Sequence, residues 1–177
     1  MKPTILMHSG YTFDFLHPEQ SKFSIGDIAH ALSHICRFTG HTKHFYSVAQ
    51  HSVAVSHMVQ PELAMQALLH DAAEAFIGDV AKPLKMLLPD YAVIEKRVEA
   101  EVFSRFGLEV NLALEVKAAD YLQLVIEMRD LMPARSDYMD KDQPNVRLDI
   151  YPKILPLRPK QARHLFLNRF IELGGLT

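Results

Sequence analysis

The sequence predicts an all-α protein, a helical bundle preceded by a short N-terminal β-hairpin. From about residue 24 onward, apolar residues recur at the three- and four-residue spacing of helices. Capping residues and helix breakers, among them Ser24, Pro61 and Gly107, mark the ends of these segments. The chain has 177 residues, 49% of them hydrophobic, so we expect one domain over residues 1–177 with a single core.

Local patterns predict the hairpin and the first helix. Within residues 1–20, apolar side chains alternate on both sides of the turn formers Ser9 and Gly10, as they do in paired strands. Ser24 is followed three residues later by Asp27, which predicts a capping box at the start of the first helix. We therefore expect a small hairpin that leads directly into a helical chain.

Prolines and glycines set the bounds of the remaining segments. Pro83 must break or restart a helix, because a proline inside a helix removes a backbone hydrogen bond. Residues 136–157 contain three prolines and a run of charges, which predicts a loop beside the site. The other predicted helices run from residue 47, over 61–78, over 90–106, over 111–131 and over 159–173.

Composition indicates a cytoplasmic protein without a polymeric or membrane partner. Lys and Arg number 19 against 21 Asp and Glu, so no overall field attracts nucleic acid or a membrane surface. The lone Cys36 excludes an internal disulfide and is typical of a reducing compartment. We expect no signal peptide, because the first residues lack an apolar stretch, and no membrane span, because the longest apolar runs are too short.

Two histidines and two aspartates form a candidate metal site. His70 and Asp71 lie together in a helical segment that is otherwise apolar, and burying them without a partner would cost several kcal/mol. His51 and Asp120, each on a separate predicted helix, complete a set of mixed imidazole and carboxylate ligands. A lone histidine in an apolar helix is more often a hydrogen-bonded core residue, but the combination favours a divalent cation: Zn, Co, Mn or Fe(II), with Mg a further candidate.

Two more carboxylates are candidates for catalysis. Glu74 lies one helical turn beyond His70 among apolar neighbours, where its carboxylate could reach a water molecule without being a metal ligand. Asp79 directly follows Gly78 and could either cap the next helical turn or take part in catalysis. Both roles for Asp79 remain open at the level of the sequence.

A second histidine pair and a scattered set of basic residues are further candidates. His30 and His34 have the four-residue spacing that can hold zinc, but the absence of an accompanying glutamate favours a structural or pocket-lining role. A short basic run before residue 51 could be a solvated connection or a phosphate clamp. The candidate substrate-binding residues are Arg37, His41, Lys43, Lys82, Lys85 and Lys117.

The order of these motifs resembles the HD superfamily of metal-dependent phosphohydrolases. His51, the His70 and Asp71 pair, and Asp120 occur in the H…HD…D order, and the match spans about residues 25–132. Residues 48–52 (VAQHS) and 69–85 (LHDAAEAFIGDVAKPLK) resemble bacterial 5′-deoxynucleotidases, and compact phage dATP triphosphohydrolases are similar too. The chain is unlike the two-metal HD phosphodiesterases and HD oxygenases, because it has no histidine between residues 71 and 164.

The resemblance implies an HD-domain fold and assigns roles to individual residues. It makes His51, His70, Asp71 and Asp120 the metal ligands and Glu74 and Asp79 the polar groups that orient water and leaving group. Arg37 falls where the nucleotidases place a phosphate-binding arginine, although Phe38 follows it here in place of their frequent tryptophan.

The expected function is cleavage of the bond between the 5′ oxygen and the α-phosphorus of a deoxynucleotide. The number of basic residues favours a dNTP, dATP in type, with nucleoside and triphosphate as products. A 5′-deoxynucleotidase acting on dNMPs and a catalytically silent nucleotide sensor are the alternatives. A purely helical interaction protein would leave the buried His70 and Asp71 unexplained. By the same resemblance we expect a homo-oligomer.

Overall fold

The computed structural model describes residues 2–134 and 147–176, which are mainly helical with one two-stranded hairpin. The predicted helical class with an N-terminal hairpin is therefore confirmed. The strands are β1 (Thr4–Leu6) and β2 (Thr12–Asp14). The described residues form α1 (Ile25–His34), α2 (Val48–Ser56), α3 (Ala64–Leu69), α4 (Glu74–Ile77), α5 (Lys82–Lys85), α6 (Pro89–Arg105), α7 (Leu114–Leu131) and α8 (Pro159–Glu172).

The hairpin is fastened to the bundle by an aromatic anchor and a shared carboxylate. Ile5 pairs with Phe13 across the two antiparallel strands. The Phe13 side chain is buried and stacks on Phe76, with 4.0 Å between ring centroids. Asp27 accepts a hydrogen bond from the Ser9 amide (2.9 Å), which ties the turn of the hairpin to α1.

The predicted capping box at the start of α1 is confirmed. Ser24 Oγ accepts a hydrogen bond from the Asp27 amide (3.3 Å), and Asp27 Oδ2 accepts one from the Ser24 amide (3.0 Å). These bonds satisfy two of the backbone donors that a helix start leaves open. The buried side chains of Ile28 and Leu32 then face the core.

Helix α2 lies at the centre of the packing. It contacts α1, α3, α7 and α8, and the side chains of Leu32, Val48, Leu68 and Phe166 join one buried cluster between these helices. Burying an aliphatic or aromatic side chain of this size contributes about 1.5–3 kcal/mol. This packing holds the middle of α2, where His51 lies, in the interior of the protein.

The predicted uninterrupted helix over residues 61–78 is wrong. A 3₁₀ turn (Pro61–Leu63) leads into α3, and a turn over residues 70–73 separates α3 from α4. The His70 ring is 2.7 Å from the Ala67 carbonyl, the acceptor that the Asp71 amide would use in a continuous α-helix. His70 and Asp71 therefore lie in this turn, not on one helix, and α4 ends at Gly78 with a positive φ of 79°.

The start of the seventh helix also differs from the prediction. Helix α7 begins at Leu114, three residues after the predicted residue 111. Gln66 explains the delay, since its side chain donates to the Asn111 carbonyl (3.2 Å) and accepts from the Ala113 amide (3.1 Å). These contacts hold the connection in a non-helical form. Helices α6 and α8 lie within one residue of their predicted bounds.

Part of the predicted loop over residues 136–157 is attached to α2 and α7. Residues 136–146 of this prediction lie outside the described residues, and residues 147–157 are irregular apart from one 3₁₀ turn. Asp130 accepts a hydrogen bond from the Ile154 amide (2.9 Å). Gln50, the neighbour of His51, donates to the Leu155 carbonyl (2.8 Å), so this segment is attached next to the central helix.

Over residues 2–134 and 147–176, every helix is either too short or too polar to cross a lipid bilayer.

Candidate metal centre

The centre of the site is a pair of buried histidines. His51 on α2 is fully buried, and His70, just after α3, is 6% exposed. Their Nδ1 atoms are occupied: that of His51 lies 2.6 Å from Glu127 Oε1, and that of His70 lies 2.7 Å from the Ala67 carbonyl. Both Nε2 atoms are buried without a hydrogen-bond partner among the described residues. Two imidazole nitrogens are thus left to bind something else.

Two aspartates bring carboxylate oxygens to the same nitrogens. Asp120 Oδ1 lies 3.1 Å from His51 Nε2 and 3.7 Å from His70 Nε2. Asp71 Oδ2 lies 3.2 Å from His70 Nε2 and 3.6 Å from His51 Nε2. The ligand atoms of His51, His70 and Asp120 all fall within 4.8 Å of one another. The structure therefore brings all four predicted ligands to the two imidazole nitrogens, and three of them, His51, His70 and Asp120, form the group that could hold a metal ion; Asp71 lies beside this group.

The donor set fits a divalent cation. Ligand atoms about 2.1 Å from one tetrahedral ion are about 3.4 Å apart, which is close to the four separations between the histidine Nε2 atoms and the aspartate oxygens. Burial alone would lower the pKa of His70, but the charges of Asp71 and Asp120 outweigh it and raise the pKa. The contacts of Asp120 with His51 and His70 hold the pKa of Asp120 well below its usual range, against the effect of burial. The site stabilises positive charge at the point where the four side chains meet.

Glu127 is a site residue that the sequence reasoning missed. Its side chain is fully buried, with Oε1 on His51 and Oε2 on Arg37. Burial would raise the pKa of Glu127, but the charges of His51 and Arg37 lower it, so the carboxylate stays ionised. Glu127 follows Asp120 by seven residues on α7, which is two helical turns. That spacing was the signal that could have found it.

Arg37 lies at the site as predicted, but it is already engaged by carboxylates. Its Nε and Nη2 atoms donate to Glu127 Oε2 at 3.3 and 3.1 Å. Its Nη1 atom lies 3.6 Å from Asp71 Oδ2. Burial would lower the pKa of Arg37, but the charges of Glu127 and Asp71 outweigh burial and raise the pKa above the usual arginine value. A permanent positive charge therefore borders the candidate metal ligands.

Glu74, the predicted catalytic carboxylate, is buried and poorly paired. It begins α4, is 7% exposed, and its Oε2 atom has no hydrogen-bond partner among the described residues. Burial raises the pKa of Glu74 well above its usual range, and the charges of Asp71 and Asp79 add to this effect. A carboxyl group whose pKa is raised in this way holds a proton more readily than a free glutamate does, which suits a group that transfers protons.

Asp79 is half-buried and does not cap the next helix. The residue before α5 is Ala81, and no side chain caps that helix. Burial raises the pKa of Asp79, the charge of Arg37 opposes the shift, and Asp71 adds to it. Asp79 therefore does not cap α5. Its pKa responds to the charges of Arg37 and Asp71, so Asp79 lies close to the site residues.

Only part of the predicted substrate-binding set meets the acidic site residues. Arg37 contacts Asp71, and Lys85 Nζ lies 3.9 Å from Glu74 Oε1 while it also pairs with Glu95. The other members lie exposed on the surface, and no hydrogen bond or ion pair joins their side chains to the rest of the described chain. These exposed residues are His41, Lys43, Lys82 and Lys117.

The second histidine pair lies apart from the candidate metal ligands. His34 Nδ1 is 2.7 Å from the His30 carbonyl, and the two rings are 4.4 Å apart. His8 from the hairpin turn stacks on His30 with 3.7 Å between ring centroids. Neither His30 nor His34 joins the group of ligand atoms around residue 51. Their contacts fit the predicted structural or pocket-lining role.

Two known proteins are similar to this chain. A protein of Escherichia coli, described as the uncharacterized protein YfdR, is 39% identical over 168 residues, which cover 95% of this chain and 94% of that protein. An uncharacterized protein of Rhodobacter capsulatus is 36% identical over 123 residues, 64% of this chain and 63% of that protein. No protein-family model matches. The similarity to YfdR extends over almost the whole of both chains, and the chain therefore belongs to the YfdR family.

Proposed function

We propose that this protein is an HD-type, metal-dependent phosphohydrolase that cleaves the bond between the 5′ oxygen and the α-phosphorus of a deoxynucleotide. One observation carries the proposal. The buried Nε2 atoms of His51 and His70 converge with carboxylate oxygens of Asp71 and Asp120 and have no hydrogen-bond partner among the described residues. The raised pKa of the nearby Glu74 adds a group that can transfer protons.

The residues of the site divide the chemistry between them. A divalent cation bound by His51, His70, Asp71 and Asp120 would supply Lewis-acid chemistry, withdrawing negative charge from the phosphoryl group. Glu74 takes a proton from the attacking water. The water oxygen bonds to the α-phosphorus as the bond to the 5′ oxygen breaks, and the leaving 5′ oxygen receives the proton that Glu74 took up.

Arg37 and Asp79 complete the assignment. The guanidinium group of Arg37 is the natural donor to a phosphate, since its planar set of N–H groups matches phosphate oxygens. Asp79 lies close enough to Arg37 for each to shift the pKa of the other, and we assign it to orienting water or the leaving group.

A dNTP of the dATP type is the first proposed substrate. Its products are the nucleoside and inorganic triphosphate. Lys43, Lys82 and Lys117 are exposed and Lys85 is half-buried, so a β,γ tail extending from the site could meet several cations. We also propose a homo-oligomer, on the resemblance to small HD nucleotidases, and a cytoplasmic location, on the lone Cys36 that is typical of a reducing compartment.

Hydrolysis of dNMPs is the second candidate, and one observation favours it. The two cations that contact the acidic site residues, Arg37 and Lys85, are already paired with carboxylates. A single phosphate needs fewer additional donors than a triphosphate does. A silent nucleotide sensor is the third alternative, and it differs from both in having no turnover.

The test is a product analysis with defined metals. The protein is stripped with a chelator, reloaded with Co, Mn, Mg or Zn, and incubated with panels of dNMPs and dNTPs, with Asp120→Asn as the ligand-deficient control. We expect deoxynucleoside and intact inorganic triphosphate from a dNTP. Release of dNDP and phosphate would contradict attack at the α-phosphorus. Cleavage of dNMPs alone would select the nucleotidase, and nucleotide binding without turnover would select the sensor.

A further inference from the structure

We propose that Glu127 is a positioning residue whose two carboxylate oxygens separately orient a metal ligand, His51, and a phosphate-binding residue, Arg37. The role of Arg37 in this inference rests on the proposed function. The role of His51 rests on the metal site alone.

Glu127 has no free oxygen with which to act as a ligand or a base. Its Oε1 atom accepts from His51 Nδ1 (2.6 Å) and from Gln123 Nε2 (3.2 Å). Its Oε2 atom accepts from Arg37 Nε (3.3 Å) and Nη2 (3.1 Å). Four donors therefore saturate a side chain that is fully buried. The carboxylate therefore orients the side chains around it and takes no part in the reaction itself.

The contact with His51 selects one tautomer of the ring. An ionised carboxylate only accepts hydrogen bonds, so the proton of a neutral His51 ring is held on Nδ1. The lone pair is then on Nε2, which faces Asp120 at 3.1 Å. A partner of this kind fixes the orientation of a metal-binding histidine and increases its basicity.

The contact with Arg37 fixes the other half of the site. Two donors of the guanidinium group meet one oxygen of Glu127, which leaves the Nη1 atom on the side of Asp71. A second layer keeps the carboxylate in place, because Gln123 Nε2 also lies 3.2 Å from the hydroxyl of the buried Tyr46. The free edge of Arg37 therefore points in a set direction before any substrate binds.

Glu127→Gln breaks this arrangement in either orientation of the new amide. If the amide nitrogen faces His51, it donates to Nδ1 and moves the ring proton to Nε2, where it blocks the metal. If the nitrogen faces Arg37, two sets of donors oppose each other and the guanidinium must move. The substitution keeps the shape of the side chain, so these effects arise from hydrogen bonding and not from a cavity.

The primary measurement is the affinity for Co²⁺, obtained by competition with a chromogenic chelator, because it needs no nucleotide. We expect Glu127→Gln to bind Co²⁺ about 10- to 100-fold more weakly than the unmodified protein. Asp27→Asn is the matched control, a buried and hydrogen-bonded carboxylate on α1 whose partners are Ser9 and Ser24. It should lose a comparable amount of thermal stability and keep its Co²⁺ affinity. Unchanged Co²⁺ affinity in a folded Glu127→Gln variant, with an unchanged KM for any nucleotide that the protein hydrolyses, overturns the inference.

Two further readouts separate this inference from the proposed function. At saturating Co²⁺, Glu127→Gln should raise KM for the nucleotide more than it lowers kcat, because Arg37 is misdirected. A loss of metal affinity in a protein that hydrolyses no nucleotide supports the role toward His51 and removes the proposed function. If the variant does not fold, nitrogen-15 NMR of the Zn²⁺-loaded unmodified protein decides: a His51 ring without a proton on Nδ1 overturns the inference.

Discussion

Replacing Glu74 with glutamine should make the metal-free protein more stable and the metal-loaded protein nearly inactive. In the structure, Glu74 Oε2 is buried without a hydrogen-bond partner among the described residues, and Oε1 is 3.9 Å from Lys85 Nζ. Burial, together with the charges of Asp71 and Asp79, raises the pKa of this carboxyl well above its usual range. The charged form is therefore disfavoured in the folded state.

The sign of the pH dependence follows from that shift. The unfolded chain releases this proton at an ordinary glutamate pKa of about 4.3, whereas the folded protein retains it to higher pH. The free energy of unfolding is thus highest below the unfolded pKa and falls as the pH rises through the folded pKa. A glutamine has no proton to release, so Glu74→Gln should lack this decline.

The magnitude follows from the extra cost of leaving a charged carboxylate, and not a neutral amide, poorly paired in the interior, on the order of 1–3 kcal/mol. We expect Glu74→Gln to gain this amount at pH 8, and each kcal/mol shifts Tm by about 2–4 °C in a chain of this size. Turnover of the metal-loaded variant should fall about 10²–10⁴-fold with metal content retained, because an amide cannot accept the proton.

The assay is thermal and urea unfolding of chelator-treated protein between pH 4 and 9, together with turnover and metal analysis. Glu95→Gln is the control, since Glu95 pairs with the same Lys85 but lies on α6. It should keep the pH-dependent decline and the turnover of the unmodified protein. A destabilised Glu74→Gln with an unchanged pH profile, or one with turnover within a few-fold of the unmodified protein, would refute the reasoning.

Three other predictions test the ligands, the substrate tail and the fold. Asp71→Ala should lose bound metal and activity, because an anionic ligand is removed, and full occupancy by elemental analysis would overturn that assignment. Lys82→Ala should raise KM for a dNTP while hardly changing KM for the matching dNMP at fixed free Mg²⁺; equal effects on both would argue against a tail contact. Ser24→Ala should lower the free energy of unfolding by about 1 kcal/mol through loss of the cap, measured by urea unfolding, and an unchanged midpoint would contradict it.

Features that depend on neighbouring residues in the chain could be predicted from the sequence. The capping box of Ser24 and Asp27, the end of α6 before Gly107 and the N-terminal hairpin are all encoded within a few residues. For the same reason the chemical types of the candidate ligands stood out, since histidine and aspartate in apolar segments need partners. Patterns within a few residues do not encode how segments that are distant in the sequence pack together.

Contacts between distant residues were decided only by the tertiary structure. The turn at His70 and Asp71 interrupts a pattern that looks helical, because the His70 ring takes the Ala67 carbonyl when it is oriented toward the other ligands. Glu127 joins His51 and Arg37 across 76 and 90 residues of chain, a pairing that no local pattern reveals.

The basic residues show the same limit. Lysines at many positions look alike in the sequence, yet packing brought Lys85 to Glu74 and left Lys82 exposed in the same short helix. The sequence by itself determined which groups needed partners. The folded structure determined which partners they found, because burial and charge act through distances in space.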